Sequence, residues 1–278
     1  MYRLGSSDRA DLPLAVVIGA GAMGMAVARR LAQQYRVLLA DVDAHRVEER
    51  AAAMRSEGCD ASSIVCDITA PESVQTLSAT VAEKGGLAVL AHVAGLSPSL
   101  GNVRSIMSVN LRGAALVAEA LLPLARQGSA AVLISSLAAH NFTPSNEVIE
   151  ILHKPTADDL TERLEIALGS EAATPQMAYA YSKWGLMSLV RRSATLWGAR
   201  GARIVSISPG LIATTQGALE FQKSEGKRRM FHLTPLKREG TMLEIADAVE
   251  FLTSSRASFI SGTDLLVDGG LSSALSQR

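Results

Sequence analysis

The 278-residue chain predicts a single α/β domain: seven parallel strands in a doubly wound sheet, with helices on both faces. Three observations carry this. From Leu14 to Gly270, short Val/Ile/Leu runs alternate with longer helical patterns, the signature of βαβ units and a parallel sheet. Apolar residues make up 48% of the chain but aromatics only 4%, so aliphatic side chains must fill the core, as in a sheet buried on both faces. The first strand also runs directly into a glycine turn that opens a helix. Residues 1–12 are polar and irregular and read as a flexible tail; residues 13–278 form the domain.

Ala15–Ile18 reads as the first strand. Gly19, Gly21 and Gly24 then make G-x-G-x-x-G, with Ala22 and Met23 inside the motif. Between a strand and a helix this is the Rossmann-type dinucleotide turn. The first glycine permits the bend, the second lets a pyrophosphate reach the backbone, and the third lets helix pack on strand. The helix N-terminus receives the negative charge. Arg36–Asp43 is the second strand. Asp41 lies 22 positions after Gly19, where an acid accepts hydrogen bonds from the adenosine ribose and repels a 2′-phosphate. That points to NAD rather than NADP. Val42 is a neighbouring contact, and Asp43 is either a second ribose candidate or a helix N-cap.

A helix over His45–Gly58 leads to a third strand, Ser62–Thr69, whose end offers Cys66, Asp67 and Ile68 to an adenine. Pro71 starts the next helix, with Glu72 in its first turn. Strand four, Leu87–Gly95, ends on Ala94-Gly95, small residues that let a cofactor pass close to the backbone. Asn102–Gln127 is a long helical pattern containing Asn110. Strand five, Ser129–Ala138, contains Ser135 and Ser136. Strand six is Ala202–Gly210, a helix spans Met242–Thr253, and strand seven is Thr263–Gly270.

Between strands five and six, Tyr179 and Lys183 stand four residues apart, on one face of a predicted helix. A free tyrosine, with a pKa of about 10, is a poor proton carrier at neutral pH. A nearby ammonium favours the phenolate, and a tyrosine so placed can exchange a proton with a ketone or alcohol oxygen.

Formal net charge is zero, and nothing suggests the basic face that a nucleic-acid binder needs. The cluster Lys223, Lys227, Arg228 and Arg229 is interrupted by Glu225 and reads as a solvated face. Cys59 and Cys66 have no metal or CxxC spacing, and the histidines are scattered, so no metal site is expected. The N-terminus lacks the apolar core of a signal peptide, and no apolar run of spanning length is apparent. The expectation is a cytoplasmic protein without a membrane segment.

Taken in order, the glycine turn, Asp41, Asp67, Ala94-Gly95, Asn110, Ser136, Tyr179/Lys183 and Pro209-Gly210 resemble the short-chain dehydrogenase/reductase family from about Leu14 to Gly270. The resemblance implies an Asn110–Ser136–Tyr179–Lys183 tetrad. Ser136 would bond the substrate oxygen and Tyr179 would move the proton. Lys183 would lower the tyrosine pKa and bind the nicotinamide ribose, while Asn110 would hold a water linking Lys183 to solvent. Pro209, Gly210, Ile212 and Thr214 would line the nicotinamide. It also implies a homotetramer or homodimer packed through the Asn110 and Tyr179 helices.

The chain departs from the family pattern in three places. Ile18 replaces the usual Thr, in a turn one residue shorter. His92-Val93-Ala94-Gly95 replaces Asn-Asn-Ala-Gly, so a polar bridge on the central strand must come from His92 or be absent. Ser136 and Tyr179 are 43 positions apart, where the family usually has little more than a dozen. The extra residues, about 140–173, carry Leu160, Leu164, Ala167 and Leu168 on one helical face and Asp158, Asp159, Glu162 and Glu165 on another. The expectation is a lid over the substrate side, with subunit packing as the alternative. A second wall is expected over 212–236, with Leu219, Phe221, Met230 and Phe231 as apolar contacts.

The expected activity is an NAD(H)-dependent oxidoreductase interconverting a secondary alcohol and a ketone, with a small apolar, hydroxysteroid-like substrate suggested by the Leu/Ile/Met/Phe-rich entry loops. The alternatives are a non-catalytic NAD(H)-binding redox-sensing or interaction protein and, among enzymes, a 3-oxoacyl thioester reductase.

Overall fold

The computed structural model describes residues 11–169, 173–214 and 225–277. Its strands are β1 (Leu14–Ile18), β2 (Arg36–Asp41), β3 (Ala61–Val65), β4 (Leu87–His92), β5 (Ala125–Ile134), β6 (Arg203–Pro209) and β7 (Asp264–Val267). They form one parallel sheet in the order β3-β2-β1-β4-β5-β6-β7. The expected seven-stranded doubly wound sheet is therefore the fold. The chain moves outward from β1 to β3, then returns to the other side of β1 at β4. This reversal leaves a crevice at the carboxyl ends of β1 and β4.

Helices Pro71–Glu83, Ala114–Leu121 and Pro175–Gly198 cover one face; Ala22–Leu31, Ala44–Ser56 and Met242–Thr253 cover the other. Alternate residues of each strand enter each core. Val16, Ile18, Leu90, Leu133 and Ile204 meet Leu77, Val117 and Leu186, while Val17, Val89, Val132 and Val205 meet Val27, Leu31 and Val249. Burial on both faces is why these strands read as continuous apolar runs.

Most strands stop earlier than the sequence suggested, and the residues just beyond β2, β3, β4, β5 and β6 line the crevice. The helix expected to reach Gln127 ends at Leu121, and a 3₁₀ turn, Leu122–Leu124, leads into β5 four residues early. Pro123 lacks the N–H that would continue the helix. Val103–Leu124 has the length and hydropathy of a spanning helix, contrary to the expectation that no segment did. Here Ile106, Leu111, Ala114, Val117 and Leu121 are buried within the domain.

The inserted segment contains two helices, Asn146–Leu152 and Leu160–Leu168. Leu160 and Leu164 are buried as expected, and Asp158, Asp159 and Glu162 are exposed. The apolar face does not overhang the substrate side. Val148, Ile151, Leu152, Leu160 and Leu164 form a third core with Ile106, Met107, Leu111, Ala178 and Tyr181 of the chain's own helices. Polar ties reinforce it. The Arg192 guanidinium donates to the His153 carbonyl at 2.6 Å, and His153 Nε2 lies 3.1 Å from Ser188 Oγ. His140 Nε2 lies 3.0 Å from Asp264 Oδ2 and 3.2 Å from Ser208 Oγ. The two helices to which the resemblance assigned subunit contacts are thus covered on this side by the chain itself. Residues 1–10 of the expected tail, 170–172 of the insertion, and Leu219 and Phe221 lie outside the described residues.

Candidate active site

A cleft of about 840 Å³ occupies the crevice. It is floored by the strand ends Ile18, Ala40, Asp41, Ile134 and Pro209 and bordered by Gly19, Gly21, Ala22, Met23 and Gly24. The glycines are required by geometry. Gly19 has φ +99°, and a Cβ there would lie 2.8 Å from the Ala94 nitrogen. A Cβ on Gly24 would lie 1.8 Å from the Gly19 carbonyl oxygen. A Cβ on Gly21 would meet nothing within 4 Å, so that position faces open space. Gly21 caps the Ala22–Leu31 helix without a side-chain hydrogen bond, and the first turn has no acidic residue. This cradle suits an anionic pyrophosphate.

At the end of β2, Asp41 is buried. The Ala20 amide donates to its Oδ2 at 2.7 Å, and the Asp43 amide donates to its Oδ1 at 3.0 Å. Each oxygen keeps a second lone pair for a ribose hydroxyl. Asp43 is the N-cap of the Ala44–Ser56 helix, accepts from the Arg46 amide, and does not line the cleft. Val42, Cys66, Asp67, Ile68, Ala94, Gly95, Pro209, Gly210, Ile212 and Thr214 all line the cleft.

Ser136, Tyr179 and Lys183 reach the same cleft from two elements. Thr174 caps the Pro175–Gly198 helix, Pro175 starts it, and Tyr179 and Lys183 face inward one turn apart. The Lys183 ammonium donates to the Ile134 carbonyl at 2.8 Å and lies 5.8 Å from the Tyr179 ring centre. Burial lowers its pKa to about 8. The adjacent serines differ. Ser135 is buried, and its hydroxyl donates to the Lys183 carbonyl at 3.0 Å. Ser136 Oγ accepts from the Ala138 amide at 3.2 Å and remains on the cleft.

Asn110 does not line the cleft. It sits behind it, buried in a π-helical stretch, Ser108–Gly113. Its Oδ1 accepts from the Leu96 amide at 2.7 Å, and its Nδ2 donates to the Leu96 carbonyl at 2.9 Å. The side chain thus holds the turn after β4 as a neighbouring strand would. A Cβ on Gly95 would stand 3.3 Å from both Asn110 Oδ1 and Lys183 Nζ, so the glycine separates these groups with little room to spare.

His92 supplies no polar bridge. It is buried between Ile18 and Leu133, and neither ring nitrogen has a hydrogen-bond partner. Burial, with a smaller push from the Lys183 charge, lowers its pKa to about 3. Leu96, Leu100, Leu211, Lys227 and Glu239 also line the cleft but were not selected as contacts from the sequence, and Arg46, a phosphate candidate only if the cofactor were NADP, lines it too. Leu96 and Leu100 follow the Ala94-Gly95 turn closely enough to have been found. Lys227 belongs to the cluster read as solvated, and no sequence signal marks Glu239. No described residue of the inserted segment lines the cleft.

A family model described as "Enoyl-(Acyl carrier protein) reductase" matches residues 19–156 and 164–272. "Short-chain dehydrogenase/reductase bsc3" of Alternaria brassicicola is 34% identical over 267 residues, covering 94% of this chain and 96% of that protein. "D-threitol dehydrogenase" of Mycolicibacterium smegmatis is 30% identical over 274 residues, covering 94% of each. The solved structure titled "Crystal structure of gox2181" superposes with a TM-score of 0.75 at 26% identity, covering 95% of this chain and 96% of the other.

Proposed function

This chain belongs to the short-chain dehydrogenase/reductase family of oxidoreductases, and we propose that it is an NAD(H)-dependent enzyme interconverting a secondary alcohol and a ketone. The observation that carries the reading is the convergence of Ser136, Tyr179 and Lys183 on the cleft that also holds the glycine cradle and Asp41. The glycine cradle, with its uncapped helix, fits the pyrophosphate, and Asp41 fits a ribose bearing free hydroxyls. The nicotinamide supplies or accepts the hydride when bound.

The chain's own residues handle orientation and the proton. Tyr179 gives its phenolic proton to the ketone oxygen, or takes one from the alcohol. Ser136 donates a hydrogen bond to that oxygen, and the Lys183 ammonium, still protonated at neutral pH, favours the phenolate. Asn110 acts on Leu96 and on the packing around Lys183. Asp41 favours NAD over NADP by placing a carboxylate where a 2′-phosphate would sit.

For the substrate we infer a small apolar alcohol or ketone, hydroxysteroid-like in character, because Leu96, Leu100, Leu211 and Ile212 line the cleft together with the tyrosine. The name of the threitol dehydrogenase relative suggests a polyol instead. The test is a panel of cyclic ketones, hydroxysteroids and polyols with NAD(H) and NADP(H), alongside direct cofactor binding. Turnover of an apolar ketone with NADH supports the reading; cofactor binding without turnover of any panel member refutes catalysis. We further propose a homo-oligomer, as is common in the family, and a cytoplasmic setting, tested by sedimentation and by fractionation of the source cells.

A further inference from the structure

One residue outside this constellation links the inserted segment to the cleft. Arg112 follows Asn110 by two positions in the π-helical stretch. Its Nη1 donates to the Thr69 carbonyl at 3.0 Å, and its Nη2 donates to Asp158 Oδ1 of the insertion at 2.9 Å. Thr69 belongs to the loop after β3, where Asp67, Ile68 and Thr69 line the cleft. Asp67 Oδ1 accepts from both the amide and the hydroxyl of Thr69, at 2.9 and 2.7 Å, so a shift of Thr69 carries that carboxylate with it. The neighbouring Gly113 touches the same loop, since a Cβ there would fall 2.7 Å from Ile68 Cγ1. One helical turn therefore holds the loop at two points. Asp158 is 97% exposed but stands two positions before Leu160, which is anchored in the third core.

We propose that Arg112 is a positioning residue for dinucleotide binding: it fixes the 67–69 loop, and Asp158 of the inserted segment fixes Arg112. The inference rests on the reading of this cleft as a dinucleotide site. A guanidinium holds two acceptors in a rigid planar fork, which a flexible ammonium does not. Arg112 Nε is buried and has no acceptor, so the orientation of the fork depends on its two Nη bonds. The segment inserted between Ser136 and Tyr179 thus acts on the adenine end of the cleft, away from the substrate.

The test is NADH and NADPH dissociation, measured by fluorescence, for the native chain, Arg112→Met, Arg112→Lys, Asp158→Ala and the Arg112→Met/Asp158→Ala double variant, with kcat at saturating cofactor. Arg112→Met raises Kd about tenfold, the order of one charge-assisted hydrogen bond, and kcat falls by less than Kd rises. Arg112→Lys recovers only part of the affinity. Asp158→Ala raises Kd about threefold, as for a largely exposed ion pair, and adds nothing in the Arg112→Met background. Native affinity in Arg112→Met overturns the proposal, as does an additive double variant. Should Arg112→Met not fold, native affinity in both Arg112→Lys and Asp158→Ala overturns it equally. A native chain that binds neither dinucleotide removes the cofactor reading along with this inference, whereas native binding with unaffected variants removes this inference alone.

Discussion

The Lys183 ammonium lies 5.8 Å from the centre of the Tyr179 ring and is held there by a 2.8 Å hydrogen bond to the Ile134 carbonyl. A strand end thus fixes the cation, and one helical turn fixes the phenol beside it. Removing only the phenolic hydroxyl separates chemistry from binding. Tyr179→Phe should reduce kcat by ~10²–10⁴, the range for a lost general acid–base, and leave NADH affinity close to native. Residual activity above a few per cent would remove Tyr179 from the proton-transfer role.

The same lysine makes stability depend on pH. Its folded pKa of about 8 lies below the ordinary 10.5. Between these values the unfolded chain binds more protons than the folded one, so this group makes stability rise as pH climbs from about 8 to 10.5. Below pH 8 the folded state carries the full penalty, about 3 kcal/mol. Lys183→Met abolishes turnover and weakens cofactor binding. It should raise Tm at pH 7, by an amount reduced because the Ile134 carbonyl loses its donor. The advantage over the native chain should shrink as pH rises toward 10. Parallel Tm curves for the two proteins would contradict the buried-cation account.

His92 gives the opposite limb. Its folded pKa of about 3 lies below the ordinary 6.5. The unfolded chain binds the extra proton between these values, so the stability associated with neutral His92 is lost as pH falls from 6.5 toward 3. The slope is at most about 1.4 kcal/mol per pH unit. His92→Phe keeps an aromatic ring between Ile18 and Leu133 without a titrating group, and should lose less Tm than the native chain between pH 7 and 4. Equal acid losses would show that His92 does not titrate on unfolding.

Asp41 joins two functions that are separable in its bonds. It receives the Ala20 amide, which holds the glycine turn, and it leaves lone pairs for the ribose. Asp41→Ala should therefore weaken NAD(H) and NADP(H) binding alike through the turn, and narrow the NAD:NADP ratio of kcat/KM through the lost repulsion. A native chain that prefers NADP would reverse the assignment and make Arg46, 3.9 Å from Asp41, the first candidate phosphate ligand.

What the sequence revealed depended on the range over which each signal acts. Strand runs and the Gly19/Gly21/Gly24 turn are local, and burial on both faces made them legible. Tyr179 and Lys183 needed only helical spacing, whereas choosing Ser136 over Ser135 needed the family pattern; the Ser135 bond to the Lys183 carbonyl now supplies a physical reason. The stripe Leu160/Leu164 showed that a face of the insertion is buried but carried nothing about its partner. That partner is Ile106, Leu111 and Tyr181, two of them some fifty residues earlier in the chain. The Arg112–Asp158 pair is likewise a contact between distant residues with no motif to announce it.

The third core also changes what removal of the insertion should do. A lid could be exchanged for a short linker with loss of activity confined to bulky substrates. Here Leu160 and Leu164 cover Ala178 and Tyr181, which belong to the helix that carries Tyr179 and Lys183. Replacing residues 142–172 with a Gly/Ser linker should expose Ile106, Met107, Leu111 and Tyr181 and yield aggregated or unfolded protein. A milder probe is Leu164→Ala, a buried truncation worth about 2–5 kcal/mol, or roughly 5–15 °C in Tm for a domain of this size. Because the contacts surround the first turns of the catalytic helix, kcat should fall for large and small ketones by the same factor. A selective loss on bulky ketones, with Tm unchanged, would restore the lid.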